Sequence, residues 1–102
     1  MARIQGLSET SLLNANAQVK TVAGYVFSIT IGWAGCTVGD RLTLRDYAGS
    51  GASHVEVPFY FPTANGTITK EWVNGKEFKN GIAVVVEPQA AGSKIEYEMT
   101  YK

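Results

Sequence analysis

The side chains best equipped for chemistry are His54, Cys36, Ser50 and Ser53, the aspartates Asp40 and Asp46, and a group of aromatics. His54 is the single histidine, and Glu56 follows two positions later. In an extended segment that spacing puts both on one face, within hydrogen-bonding reach of each other. A general base also needs a nucleophile and an orienting group that converge on it. Ser50 and Ser53 are near in sequence, but they stand in the glycine-containing run Asp46–Ser53, with no nucleophile elbow or triad pattern around them. Cys36 has no adjacent basic residue to favour a thiolate, and it reads as a small packing residue. Asp40 and Asp46 bracket one extended segment, which holds them about 20 Å apart, too far to share a metal ion. The Gly35–Gly39 and Gly49–Gly51 runs lack the lysine and the strand-to-helix setting of a phosphate loop. The expectation is a protein that is not an enzyme, with no cofactor and no metal centre.

The aromatics suggest a different chemistry, stacking against sugar rings. Tyr25, Tyr97 and Tyr101 fall in phase with aliphatic positions and are expected in the core. Trp33 and Tyr47, assigned to connections, and Tyr60, out of phase with its neighbours, remain as candidate partner contacts. Asn65-Gly66-Thr67 matches a glycan acceptor pattern but reads as an Asn-Gly turn.

These residues are positioned by a succession of short alternating segments. Gly24–Ile31, Arg41–Arg45, His54–Phe61 and Thr67–Val73 each carry the period of two that a half-buried strand requires. Val19–Val22 and Lys76–Lys79 are shorter strand candidates. Asn74-Gly75 reads as the two-residue turn between Thr67–Val73 and Lys76–Lys79. Ile82–Val86 and Lys94–Lys102 read as a closing hairpin. Its inner face is Ile82, Val84, Val86, Ile95, Tyr97, Met99 and Tyr101, and its outer face is a Lys/Glu/Thr mixture. Pro58 lacks a ladder donor and belongs at a sheet edge. Eight strands at this spacing, with no convincing helix, specify an all-β fold of antiparallel strands in a β-sandwich. A jelly-roll arrangement is expected, with an immunoglobulin-like Greek key as the alternative. Residues 1–16 differ in composition and read as an extended N-terminal arm, leaving 17–102 as the sandwich domain. Leu7, Leu12 and Leu13 on that arm are candidate contacts with a partner.

With 102 residues the chain suits one domain, and nine basic residues against nine acidic ones leave no positive field for nucleic acid. Its one cysteine rules out an internal disulfide. No stretch of eighteen apolar residues is present to cross a membrane as a helix, and the N-terminus has no signal-peptide pattern, so synthesis in a cytoplasm is expected.

The order of these parts resembles the small all-β virion proteins of tailed bacteriophages, which decorate or cement a capsid or fit onto tail components. The resemblance is carried by the polar arm, Gly24–Ile31, Val38–Asp46, the Gly/Ser loop and Phe78–Val86 leading into the final strand. It implies a structural role in a virion, assembled in the host cytoplasm. The partners it implies are the major capsid protein or a tail component, together with further copies of the chain, a trimer among the candidate states. A glycan- or receptor-binding module of a phage tail or fibre is the alternative.

Overall fold

The computed structural model describes residues 7–36, 40–87 and 94–102. They form eight strands: β1 (Ser8–Glu9), β2 (Ala17–Lys20), β3 (Gly24–Ala34), β4 (Arg41–Asp46), β5 (His54–Tyr60), β6 (Gly66–Phe78), β7 (Ile82–Glu87) and β8 (Lys94–Tyr101). These make two four-stranded antiparallel sheets, sheet A in the order β1-β8-β3-β6 and sheet B in the order β2-β7-β4-β5. The architecture is an all-β sandwich. Among its ladders are the antiparallel pairs β1·β8, β2·β7, β3·β6 and β4·β5.

The alternation in the sequence sets the core. Val26, Ile29 and Ile31 on β3 and Ile95, Tyr97 and Met99 on β8 face Leu42 and Leu44 on β4 and Ile82 and Val84 on β7, all of them buried. Phe61, Phe78 and Cys36 close the two ends, and Cys36 is the packing residue its surroundings suggested. Pro58 lies on β5, an edge strand, where its missing donor costs no internal ladder bond.

The structure revises four local expectations. First, β7 and β8 do not form a hairpin with each other: β7 lies in sheet B and β8 in sheet A, on opposite sides of the core. The inner faces remain as expected, because alternation fixes which side of a strand is apolar but not which neighbour it takes. Second, Asn74-Gly75 is no hairpin turn. It lies inside the continuous 13-residue strand β6, where residues 72–75 bulge out opposite the single residue Phe27. Gly75 has φ 82°, and its missing Cβ makes room for the Phe27 ring.

Third, Phe27 is an extra residue of β3 opposite β8, and it shifts the phase of the strand. Val26 is buried and Tyr25 is exposed, the reverse of simple alternation back from Ile29. A similar shift on β5, where Leu44 pairs with Val57 but Arg45 with Val55, turns Val55 outward and leaves Glu56 as the extra residue. Fourth, β3 extends through Gly32, Trp33 and Ala34, so Trp33 stands on a strand rather than in a connection.

Residues 7–16 run along β8. The Thr10 amide donates to the Met99 carbonyl at 3.0 Å, and Leu13 and Tyr97 exchange two backbone bonds of 2.8 Å. Asn16 Oδ1 accepts from the Val86 amide at 2.7 Å, which carries the segment over to β7. Leu7 is buried, Leu13 packs against the core and Leu12 is exposed.

Candidate functional site

The open side of the sandwich lies between the edge strands β5 and β6, which belong to different sheets. At one end Lys76 of β6 and Glu56 of β5 close it with an ion pair of 3.3 Å. At the other end the sheets part into a groove of about 570 Å³, lined by Trp33, Pro58–Thr63 and Gly66–Ile68. Its walls are mainly apolar, with the threonines at the rim, and its volume lies in the range that small ligands or inserted side chains occupy.

Trp33 forms the floor. Its ring stacks on Phe61 with centroids 4.4 Å apart and planes 7° from parallel. Its indole N–H donates to the Thr63 carbonyl at 3.0 Å. The Gly66 backbone presses close to the same ring, so a Cβ there would come within 2.5 Å of Trp33 Cζ2. Gly66→Ala is therefore expected to push the indole off Phe61 and to cost about 1–3 kcal/mol. A lowered denaturant midpoint together with a shifted tryptophan emission is the expected result. An unchanged emission would show that the ring is not held between these two contacts.

Tyr60 stands at the groove's outer lip, 62% exposed, with the Arg41 guanidinium 5.9 Å from its ring centre. Val55, Ile68 and Val73 are also exposed along this side, at 47%, 41% and 92%. Tyr60 and Ile68 stand at the groove, while Val55 and Val73 lie toward the Glu56–Lys76 end of the same two edge strands. The aromatic run Phe59-Tyr60-Phe61 beside Pro58 and Pro62 was the sequence signal for this groove. Ile68 and Val73 carried no such signal, because each fits an ordinary strand pattern.

The other candidates are dispersed. Tyr47 follows the Asp46 end of β4, whereas Tyr60 pairs with Arg41 at its opposite end, about 17–20 Å away. Trp33 and Tyr60 thus share the groove and Tyr47 does not. Leu7 and Leu13 lie against their own domain, and of the three arm leucines only Leu12 projects to solvent. His54 pairs with Asp46 across the β4·β5 ladder, while Glu56 reaches Lys76 instead of His54.

Asp46 has a structural position that the spacing argument did not reveal. It is buried, and its carboxylate accepts from the backbone amides of Asn80 at 2.7 Å and Gly81 at 3.2 Å, and from Asn80 Nδ2 at 3.3 Å. Burial alone would raise its pKa, but the amides of Asn80, Gly81 and Lys79, helped by the nearby His54, outweigh it and hold the carboxyl below the usual value. On the outer face of sheet B, Glu87 meets Arg41 and, at 3.6 Å, Arg45. Among the described residues no group of three or more His, Cys, Asp or Glu is placed to hold a metal ion. No family model, curated protein or solved structure matches the chain.

Proposed function

We propose that this chain is a non-enzymatic structural subunit of a tailed-phage virion, a capsid decoration or cement protein that binds the major capsid lattice. The observation that supports it is the exposure of Val55 and Tyr60 on β5 and of Ile68 and Val73 on β6, the two strands that border the open side. Exposed apolar side chains are costly on an isolated protein, and a partner that covers them relieves the cost. The edges themselves are built against casual pairing. Pro58 interrupts the donors of β5, the bulge at residues 72–75 distorts β6, and Lys70 and Lys76 stand on the ladder positions of β6 opposite Ile29 and Val26. Attachment therefore proceeds through side chains filling or covering the groove, not through added strands. The strand order also suits a jelly-roll reading, since pairing β1 with β8, β2 with β7, β3 with β6 and β4 with β5 is what a rolled antiparallel ribbon produces.

The test is quantitative mass spectrometry of purified particles from the phage or prophage that encodes the chain. A constant copy number relative to the major capsid protein is expected, with Tyr60→Asp or Ile68→Asp lowering particle occupancy without lowering the melting temperature. Absence from washed particles would overturn the proposal.

A further inference from the structure

The outward face of sheet A holds a glycine with no task inside the chain. Gly32 lies in the middle of β3, paired with Glu96 on one side and Thr67 on the other. A Cβ built on it meets nothing within 4 Å, and its φ is not positive. Every other described glycine either has a positive φ or lies against an atom of its own chain. A glycine inside a strand weakens it and marks a place where another backbone or ligand comes close. The surrounding face is polar. Ser28 and Thr100 hydrogen bond at 2.7 Å and Thr30 and Thr69 at 3.2 Å, so short side chains precede Gly32 along the outer face of β3.

The two broad faces carry opposite charge. Ladder partners share a face, so Glu9, Glu71, Glu77, Glu96 and Glu98 join Ser28, Thr30 and Gly32 on the outside of sheet A, against the cations Lys94 and Lys102. On the outside of sheet B, Arg41 and Arg45 outnumber Glu87, and Tyr60 projects beside Arg41. A like-on-like contact would set carboxylates against carboxylates, whereas front-to-back contact pairs acid with arginine. The molecule is a slab measuring 36 × 36 × 19 Å between Cα atoms. Each broad face exceeds the roughly 800 Å² per partner that a standard interface covers.

We infer that the Gly32 face of sheet A is the docking surface for the Arg41/Arg45 face of a second copy of this chain, a heterologous contact that stacks copies front to back. Gly32 lets the partner's surface approach the sheet, and the carboxylates steer and orient it. The inference rests on the face itself and stands apart from the virion reading: it requires self-association of the purified protein, with no capsid present.

Analytical ultracentrifugation of the purified chain over a concentration series, at low and at high salt, tests it. The expected result is a sedimentation coefficient that rises with concentration at low salt and falls back at about 1 M salt, where screening acts within about 3 Å. Gly32→Tyr should melt no lower than the parent and weaken association about tenfold or more, and Glu96→Lys/Glu98→Lys should do the same. A monomer at every concentration would overturn the inference, as would association that survives both variants. A marked loss of stability in Gly32→Tyr would also overturn it, by showing an intramolecular need for the glycine. Absence from virions with self-association intact would count against the proposed function alone.

Discussion

Replacing Tyr97 by alanine is expected to destabilise the fold by about 3–5 kcal/mol, the largest single-residue loss in the molecule. Tyr97 is completely buried on β8 and takes part in the central cluster. Its ring borders Ile31 across the β3·β8 ladder, and its hydroxyl donates to the Ala15 carbonyl at 2.6 Å. Truncation would open a cavity between the sheets and also release the 7–16 segment, whose backbone bonds with Tyr97 and Met99 line up along the same strand. Tyr97→Phe separates the two contributions. It keeps the ring and leaves the Ala15 carbonyl without its partner, for a loss of about 1 kcal/mol. Urea denaturation of the three proteins reads both values. If Tyr97→Ala lost less than Tyr97→Phe predicts for the hydroxyl alone, the core position of the ring would be wrong.

The same residue predicts an alkaline limit. Burial pushes the Tyr97 phenol up to about 12, because the charged form is poorly solvated between the sheets. In the unfolded chain the phenol ionises near its ordinary value of about 10. The folded state therefore favours the neutral phenol. Its contribution is fully present below about pH 10 and is lost as the pH rises through about 12. Tyr97→Phe should remove this part of the alkaline slope, seen as a flatter dependence of the urea midpoint on pH.

The second large effect is expected at Asp46. Asp46→Ala would leave the Asn80 and Gly81 amides unsatisfied in a tight turn, where the missing Gly81 side chain already lets the Tyr47 and Lys20 carbonyls pack closely. The expected cost is about 2–5 kcal/mol, from one buried and one part-buried donor left without a partner. Asp46→Asn keeps a carbonyl acceptor and should lose less. The pH dependence has the opposite sign to that of Tyr97. The folded-state pKa is lowered, so the carboxylate's contribution is present above the ordinary aspartate value of about 3.9 and is lost as the pH falls through the folded value. The stability gap between parent and Asp46→Asn should accordingly close on acidification. A gap that stays constant with pH would show that the turn does not depend on the charged form.

Asp46 also shows how far the sequence could be read. Its distance from Asp40 excluded a shared metal, and that required only the rise per residue of a strand. Its capping of the 79–81 turn depends on residues 34 and 35 positions away and had no local sign. The groove divides in the same way. Tyr60 was visible as an out-of-phase aromatic, but its neighbour Ile68 becomes exposed only because β5 and β6 end up as the edges of different sheets.

By itself the sequence determined the all-β class, the position of most strands and the inward faces of β4, β7 and β8, since alternation is local and acts within a few residues. Ile95, Tyr97 and Met99 are buried as their period required. Three further features were decided only by the tertiary structure. The first is the sheet each strand joins: β7 and β8 have good hairpin patterns yet lie on opposite sides of the core, because backbone pairing is equally available to any strand with a free edge and the choice falls to the packing of the whole chain. The second is the phase of β3 and β5, where bulges exchange Val26 for Tyr25 and turn Val55 outward. The third is the solvent side of β3, where Gly32, one glycine among eleven in the sequence, stands open between Glu96 and Thr67. Alternation says that such a residue points away from the core, and only the assembled sheet shows that nothing in its own chain covers it.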